Sequence, residues 1–227
     1  AHYCDERMFD DLVGDFDSNF HYYYDSIMRP FKPYVLKVIE KIEELDVDII
    51  ATAHGPIIRE NPRKYIESYR RWSQIQTDPT KNVLILYVSI YGSTKKMAEA
   101  IAKGVSEEGA NLKMLDVNDT DPQFIRDAIE KADGIIVGSP TIVGDAPKPV
   151  WDALALLSSV KLKIKLGSAF GSYGWSGEAT KMAEDRLSGL HIKLHKPSFR
   201  VKLIPEDKTL KECQEFGKEF VIALKQK

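Results

Sequence analysis

Four hydroxyl side chains gather in the short stretch SIYGSTKKMA, which follows directly on the apolar run 83–88. They are Ser89, Tyr91, Ser93 and Thr94. Gly92 lies among them, and the next carboxylate along the chain is Glu99. Where a buried strand gives way to a helix, the unpaired N–H groups of the first helical turn and short hydroxyl donors can surround an anion. One interpretation is therefore that residues 89–94, including Ile90, bind a phosphate group.

The same stretch has a simpler interpretation, in which Ser93 or Thr94 caps the following helix and nothing is bound. It is not a P-loop, because it lacks the Gly-x4-Gly-Lys pattern. It is not a dinucleotide-binding fingerprint either, because it contains a single glycine. Taken alone, the stretch leaves phosphate binding and plain capping equally open.

Two further loops combine small, glycine and aromatic residues. The loop GSPTIVGDAPKP (138–149) contains Ser139, Pro140, Thr141, Ile142 and Gly144. The loop GSYGWSGEA (171–179) contains Ser172, Tyr173, Gly174, Trp175 and Gly177. With the hydroxyl-rich stretch, they suit a ligand in which a phosphate is joined to a flat ring system. The aromatic side chains of the last loop have an alternative role as a surface patch or a packing contact.

The elements that must position these loops alternate regularly over residues 81–227. We predict strands within 83–88, 111–117, 134–140, 165–174 and 193–205, and helices at 94–108, 121–132, 146–160, 177–190 and 207–226. Five β-α units of this length imply an α/β fold with a parallel sheet covered on both faces. Ligands of such sheets lie beyond the carboxyl ends of the strands, where all three loops emerge.

Residues 1–75 follow a different pattern. We predict helices at 31–45 and 61–74 and a strand at 46–53, and the polar segment 76–82 is predicted to be a linker. A single strand cannot form a stable sheet. This region is therefore expected either to pair with something outside the chain or to be the end of a larger domain.

The three loops resemble the FMN-binding loops of flavodoxin in their order and in the strands that they follow. The resemblance implies that residues 83–227 are a flavodoxin-like domain, a doubly wound fold with a five-stranded parallel sheet that binds FMN. It also implies that Ser89, Ser93 and Thr94 hold the phosphate. Residues 140–144 and 172–177 would then lie beside the isoalloxazine ring.

Segment 21–59 followed by such a domain resembles the flavodiiron proteins, also called A-type flavoproteins. In that family a metallo-β-lactamase-like domain with a non-haem diiron site precedes the flavodoxin domain. The family reduces oxygen or nitric oxide with electrons that usually come from rubredoxin, and its subunits pair head to tail. The resemblance therefore implies an oxidoreductase with FMN, a rubredoxin-like electron donor and a homodimer.

The sequence ATAHGP matches the last histidine ligand of that family, so the resemblance implies that His54 binds iron. The family's His-x-Glu-x-Asp motif does not occur in the chain. We therefore expect residues 1–75 to be the carboxyl-terminal fragment of a diiron domain, and this chain alone not to be a competent oxygen or nitric oxide reductase. Without the resemblance, a lone histidine in a loop is more commonly bonded to backbone than to a metal.

The bulk composition narrows the function classes. The 227 residues carry 32 basic and 34 acidic side chains, a net charge of −2, which argues against a general nucleic-acid binder. No apolar run approaches the roughly 20 residues that span a bilayer. Cys4 and Cys213 are too few and too far apart in sequence for a disulfide framework or a thiolate metal site, and we expect a reducing, cytoplasmic setting.

Two other function classes stay open. One is a flavodoxin-fold NAD(P)H-dependent quinone or flavin reductase, although the sequence shows no second phosphate motif for a nicotinamide cofactor. The other is a non-enzymatic binding module. A flavin spectrum separates both flavoproteins from the binding module, and oxidation of NADH separates the reductase from the electron carrier.

Overall fold

The computed structural model of the chain describes residues 7–74 and 79–227, and the chain divides into two compact units, residues 1–76 and 77–227. Cys4 and residues 76–78 of the predicted linker lie outside the described residues. The last residue of that linker, Asn82, already belongs to the first strand of the second unit. No helix among the described residues is both long enough and apolar enough to cross a membrane.

The first unit is built from helices. They are α1 (Asp17–Tyr23), which continues into a π-helical turn (Tyr24–Met28) and a 3₁₀ turn (Arg29–Phe31), then α2 (Lys32–Ile42) and α3 (Pro62–Ser73). Asn61 caps α3, because its side chain accepts the N–H of Lys64 at 3.1 Å. The helical stretch from residue 17 to residue 28 was not expected from the sequence. It is stabilised by packing against α3, where Tyr24 and Ser73 share a buried hydroxyl–hydroxyl bond of 2.8 Å.

The predicted strand at 46–53 is wrong. Within the described residues this segment makes one isolated antiparallel bridge, in which Ile50 and Ile58 exchange backbone hydrogen bonds of 2.8 and 3.0 Å. The apolar residues of the segment are suited to a strand, but a ladder needs a neighbour along its whole length. No described segment of this unit supplies one, so the pairing stops after a single residue pair.

The second unit contains one sheet of parallel strands. They are β1 (Asn82–Tyr87), β2 (Asn111–Asp116), β3 (Gly134–Gly138), β4 (Leu166–Tyr173), β5 (Lys193–Leu194) and β6 (Phe199–Lys202). Their order is β2-β1-β3-β4, and β5 and β6 pair with successive stretches of β4. β5 and β6 therefore lie one after the other along the same side of β4, in the place of a single outermost strand. The predicted flavodoxin-like α/β fold is confirmed, with its fifth strand interrupted.

Helices cover both faces of this sheet. They are α4 (Ser93–Glu107), α5 (Pro122–Lys131), α6 (Lys148–Leu156), α7 (Ala179–Gly189) and α8 (Asp207–Lys225). Alternate residues of β1 point to opposite faces, so Val83 and Ile85 join the core under α4 and α8, whereas Leu84 and Leu86 join the core under the other three helices. This double burial explains why β1 is apolar without interruption.

Candidate functional site

Three loops meet at the carboxyl ends of the strands, because β1, β3 and β4 are parallel neighbours that end together. This end of the sheet is called the edge below. They are the first loop (88–92), the second loop (139–147) and the third loop (174–178), which lead into α4, α6 and α7. Backbone hydrogen bonds continue the sheet past the strand ends, from Ser139 N–H to the Phe170 carbonyl and from Thr141 N–H to the Ser172 carbonyl, both at 3.0 Å. The structure thus brings the sequence-predicted residues of all three loops to one edge.

The first loop leaves hydrogen-bond donors at the start of α4. Gly92 is the residue before the helix, and its φ of 84° is the left-handed conformation that glycine adopts readily. The Ser89 hydroxyl accepts the N–H of Lys95 at 3.1 Å. The N–H groups of Ser93 and Thr94 open the helix, where no intrahelical acceptor exists, and no acceptor for them is found among the described residues. Neither Ser93 nor Thr94 caps the helix, and the hydroxyl that accepts a first-turn N–H is that of Ser89.

Thr94 lies deeper than its predicted role as a phosphate donor requires. Its side chain is 1% exposed, and its hydroxyl is 2.9 Å from the hydroxyl of Ser172, which is also buried. The pair ties the start of α4 to the end of β4. Each hydroxyl has one proton and can also accept, so one of the two protons is left for another acceptor.

The second loop contains a tight turn with two left-handed residues. Ile142 and Asp145 exchange backbone hydrogen bonds of 2.9 and 3.1 Å around Val143 (φ 51°) and Gly144 (φ 76°). A β-branched residue such as Val143 rarely adopts this conformation, and its side chain is completely exposed. The indole N–H of Trp151 donates to the Asp145 carboxylate at 3.0 Å, which anchors the turn to α6.

Ser139 and Pro140, by contrast, lie at the base of the second loop. The Ser139 side chain is 1% exposed, and its hydroxyl donates to the Pro140 carbonyl at 2.8 Å. Thr141 holds the second and third loops together, since its hydroxyl accepts the N–H of Ala179 at 3.3 Å. These residues shape the loop rather than offer free polar groups.

Two aromatic side chains near the third loop, Tyr173 at the end of β4 and Trp175 in the loop, have different surroundings. A Cβ on Gly177 would lie 3.0 Å from the Tyr173 ring, so that ring packs on bare glycine backbone, and the φ of Gly177 is 84°. Trp175 is 95% exposed, and Tyr91 of the first loop is exposed as well. Of the two predicted ring neighbours, Tyr173 therefore has a packing partner within the loop, and Trp175 is left in solvent.

Two titratable groups at this edge have shifted pKa values. Burial, with smaller contributions from carboxylates that include Asp116 and Glu99, raises the pKa of Tyr87 at the end of β1. A hydrogen bond from the Ser176 hydroxyl lowers the pKa of Glu178, which precedes α7. At neutral pH Tyr87 is thus an uncharged phenol, and Glu178 is a carboxylate.

A fourth segment reaches the same edge, and the sequence analysis did not include it in the site. Leu203 follows β6, and its N–H donates to the Tyr173 carbonyl at 2.7 Å. Leu203 and Ile204 are both large exposed apolar residues. The signal available in the sequence was their position directly after the last strand, but the whole stretch 193–205 was treated as strand.

His54, in the first unit, lines a cavity of about 440 Å³ with aromatic side chains that include Tyr23, Phe20 and Tyr69. The rings of Tyr23 and His54 are 5.8 Å apart. Burial raises the pKa of Tyr69 to about 12, so this phenol stays neutral. Among the described residues, no three His, Cys, Asp or Glu side chains are grouped to hold a metal ion. The described residues therefore do not by themselves fit a diiron centre.

The family model for flavodoxin matches residues 85–217, which include the three loops and the Leu203–Ile204 segment. The type A flavoprotein fprA of Rhodobacter capsulatus is 47% identical over 225 residues, an alignment that covers 97% of this chain and 52% of that protein. The chain thus spans about half the length of the curated relatives that it matches.

Two solved structures resemble nearly the whole chain. The metal-soaked Flv1 flavodiiron core from Synechocystis sp. PCC6803 has a TM-score of 0.63 at 34% identity, and covers 100% of this chain and 56% of that one. Rubredoxin oxygen:oxidoreductase from the anaerobe Desulfovibrio gigas has a TM-score of 0.71 at 28% identity, and covers 98% and 56%. Through residues 85–217 the chain belongs to the flavodoxin family, and along its length it is homologous to the type A flavoproteins, or flavodiiron proteins.

Proposed function

We propose that this chain binds FMN at the edge formed by the three loops and serves as the electron-transfer module of a flavodiiron-type oxidoreductase. The observation that carries the proposal is that the N–H groups of Ser93 and Thr94, which follow the left-handed Gly92, have no acceptor within residues 7–74 and 79–227. They lie within the region that matches the flavodoxin family. A helix N-terminus with free N–H groups and no carboxylate in its first turn is suited to a phosphate dianion.

The first loop would hold the phosphate mainly through backbone. The two N–H groups point away from the helix, and the Ser89 hydroxyl, which accepts from Lys95, still has its own proton to donate. Each hydrogen bond to a charged group contributes about 1.5–3 kcal/mol. Two such bonds account for about 3–6 kcal/mol, or roughly 10²- to 10⁴-fold in affinity.

The flat ring would lie beyond the phosphate, between the second and third loops. Trp175 and Tyr91 are aromatic side chains exposed at this edge. Residues 140–144 would form the opposite wall. When bound, FMN supplies the one- and two-electron redox chemistry. The chain's own residues hold and shield the ring, and no catalytic acid or base is assigned to them.

We propose that residues 1–75 are the carboxyl-terminal fragment of a metallo-β-lactamase-like domain, followed by the linker 76–82 and the flavin domain 83–227. His54 would be the iron ligand that this chain contributes to the diiron acceptor. Support comes from the flavodiiron structures that resemble the chain along its length. Since the described residues do not fit a diiron centre, no step through iron is assigned to this chain.

The proposed electron donor is a rubredoxin-like protein, and the proposed assembly is a homodimer in the cytoplasm. The name of the Desulfovibrio gigas protein, rubredoxin oxygen:oxidoreductase, supports the donor. The proposed acceptor reaction of the intact protein is reduction of oxygen or nitric oxide at the diiron site.

The test compares FMN with riboflavin, which has the same ring and no phosphate. The purified chain is titrated with each ligand, and quenching of flavin fluorescence is followed. We expect FMN to bind at least about 100-fold more tightly than riboflavin, because riboflavin leaves the N–H groups of the first loop unpaired. No uptake of FMN would refute the proposed function, and equal affinities would refute the phosphate site.

A second measurement addresses the electron-transfer role. The FMN-loaded chain is mixed with NADH and, separately, with reduced rubredoxin. An electron-transfer module is reduced by rubredoxin and does not turn over NADH. Catalytic oxidation of NADH would favour the quinone or flavin reductase instead.

A further inference from the structure

Two large apolar side chains lie in solvent where the sheet ends beside the third loop. Leu203 is 62% exposed and Ile204 is 70% exposed, whereas Val201 before them and Pro205 after them are buried. Trp175 is exposed on the neighbouring loop. Neighbouring exposed apolar side chains of this size point to a surface that a ligand or partner covers.

The backbone at Leu203 is strained. Its φ is 63°, the left-handed region that a leucine avoids because Cβ approaches the following carbonyl oxygen. The conformation is held by the hydrogen bond from its N–H to the Tyr173 carbonyl, directly after the pairing of Tyr173 with Lys202 that ends the sheet. A strained backbone conformation persists only where surrounding contacts hold the residue in place, and such residues are concentrated at binding sites.

The strained turn directs Leu203 onto the third loop. The Cδ2 atom of Leu203 lies 3.9 Å from the position that a Cβ on Gly174 would occupy. Leu203 therefore lies over bare backbone of the loop that carries Trp175. This contact puts Leu203 at the wall of the site proposed for the flavin ring, and the exposed Ile204 is the next residue along the chain.

We propose that Leu203 and Ile204 form a fourth wall of the flavin site and that the apolar face of the bound ring covers them. The proposal rests on the proposed function, since it assigns two further ring-binding residues to the same site. It gives a reason for the strained turn, because a relaxed backbone at Leu203 would aim its side chain elsewhere.

The test replaces Leu203 with glycine and uses His191→Gly as the matched control. His191 has nearly the same left-handed backbone, with φ of 62°, and it is also exposed, but it precedes β5 at the opposite edge of the sheet. Both substitutions relieve the same strain and add the same freedom to the unfolded chain. Their thermal midpoints should therefore shift alike, and only Leu203→Gly should change flavin binding.

We expect the Kd for FMN to rise about tenfold in Leu203→Gly, which corresponds to about 1.4 kcal/mol, and to stay unchanged in His191→Gly. The affinity for riboflavin should fall by the same factor, because the substitution affects contacts to the ring and not to the phosphate. Ile204→Ala, which leaves the strained residue in place, should raise both dissociation constants by about threefold, since it removes part of one apolar side chain from the contact.

The outcomes separate this inference from the proposed function. If the wild-type chain binds FMN and both Leu203→Gly and Ile204→Ala bind it equally well, the fourth wall is refuted and the proposed function stands. If Leu203→Gly weakens FMN but not riboflavin, the segment acts on the phosphate, and the inference is again wrong. If the wild-type chain takes up no FMN, the proposed function fails, and the fourth wall fails with it.

Discussion

The hydroxyl pair of Thr94 and Ser172 permits a quantitative test of how the start of α4 is joined to the end of β4. The two oxygens are 2.9 Å apart, and the residues are 1% and 9% exposed. We consider Thr94→Val, which keeps the side-chain shape but removes the hydroxyl, Ser172→Ala, and the double variant. Each single change leaves one buried hydroxyl without its partner.

The expected energies follow from that burial. An unsatisfied buried hydroxyl costs about 1–3 kcal/mol, whereas removing both partners leaves apolar groups in contact and costs much less than the sum. The double variant should therefore be more stable than additivity predicts by about 1–2 kcal/mol. The free energy of unfolding in urea, measured on the flavin-free chain, gives the four corners of the cycle.

A control cycle combines Thr94→Val with Ser159→Ala. The Ser159 hydroxyl donates to the Leu156 carbonyl at 2.7 Å, in the turn after α6 that leads back to the opposite edge of the sheet. This pair should be additive within about 0.3–0.5 kcal/mol. A coupling between Thr94 and Ser172 no larger than the control would refute the structural role of the bond.

The same variants distinguish two roles for Thr94 in FMN binding. If the hydroxyl only joins α4 to β4, Thr94→Val and Ser172→Ala should weaken FMN binding by similar factors. If Thr94 also donates to the phosphate, Thr94→Val should lose a further tenfold to hundredfold in affinity, because a bond to a charged group contributes about 1.5–3 kcal/mol.

Three further predictions concern the sheet, the pH dependence and the ring. Gly171→Ala should lower the free energy of unfolding by about 1–3 kcal/mol, because a Cβ there would collide with the backbone carbonyl of Ser139. The control Gly189→Ala should not lower it, because a Cβ at that position meets open space. Equal urea midpoints for the two variants would contradict this prediction. Burial raises the pKa of Glu184 above its ordinary 4.5, so the wild type should lose stability as the pH rises from 4.5 through the raised pKa. Glu184→Gln should abolish this loss when the thermal midpoint is measured against pH. Parallel pH profiles for the wild type and the variant would disprove the prediction. Trp175→Ala should brighten bound flavin and weaken FMN by about 0.5–1.5 kcal/mol; unchanged emission and affinity would exclude Trp175 as a ring neighbour.

The flavodoxin-like fold was predictable because its signals are local. Each β-α unit is indicated by an apolar run, a loop with glycine or hydroxyl residues and a helix with apolar periodicity. The element boundaries in the structure differ from the predicted ones by only a few residues. The unbroken apolar character of β1 required burial on both faces, and the two helical layers supply it. The order of the loops along the chain then implied that they share one edge.

The first unit was less predictable, since its pattern depends on partners distant in sequence. The aromatic-rich stretch before residue 28 has no strong helix propensity, and it is helical because its rings pack on α3, as in the contact between Tyr24 and Ser73, 49 positions apart. The segment 46–53 has the composition of a strand, but no described neighbour extends its ladder beyond the bridge at Ile50.

The sequence by itself determined the sheet, the helices that cover it and the three loops at the carboxyl ends of its strands, because periodicity and loop composition act over a few residues. Only the tertiary structure decided what each loop residue does. It paired Thr94 with Ser172 across 78 positions, packed Tyr173 on Gly177 while leaving Trp175 exposed, and brought the strained Leu203 to the same edge. These roles depend on which residues come into contact after folding. A short-range sequence pattern does not specify contacts between residues that are far apart in the chain.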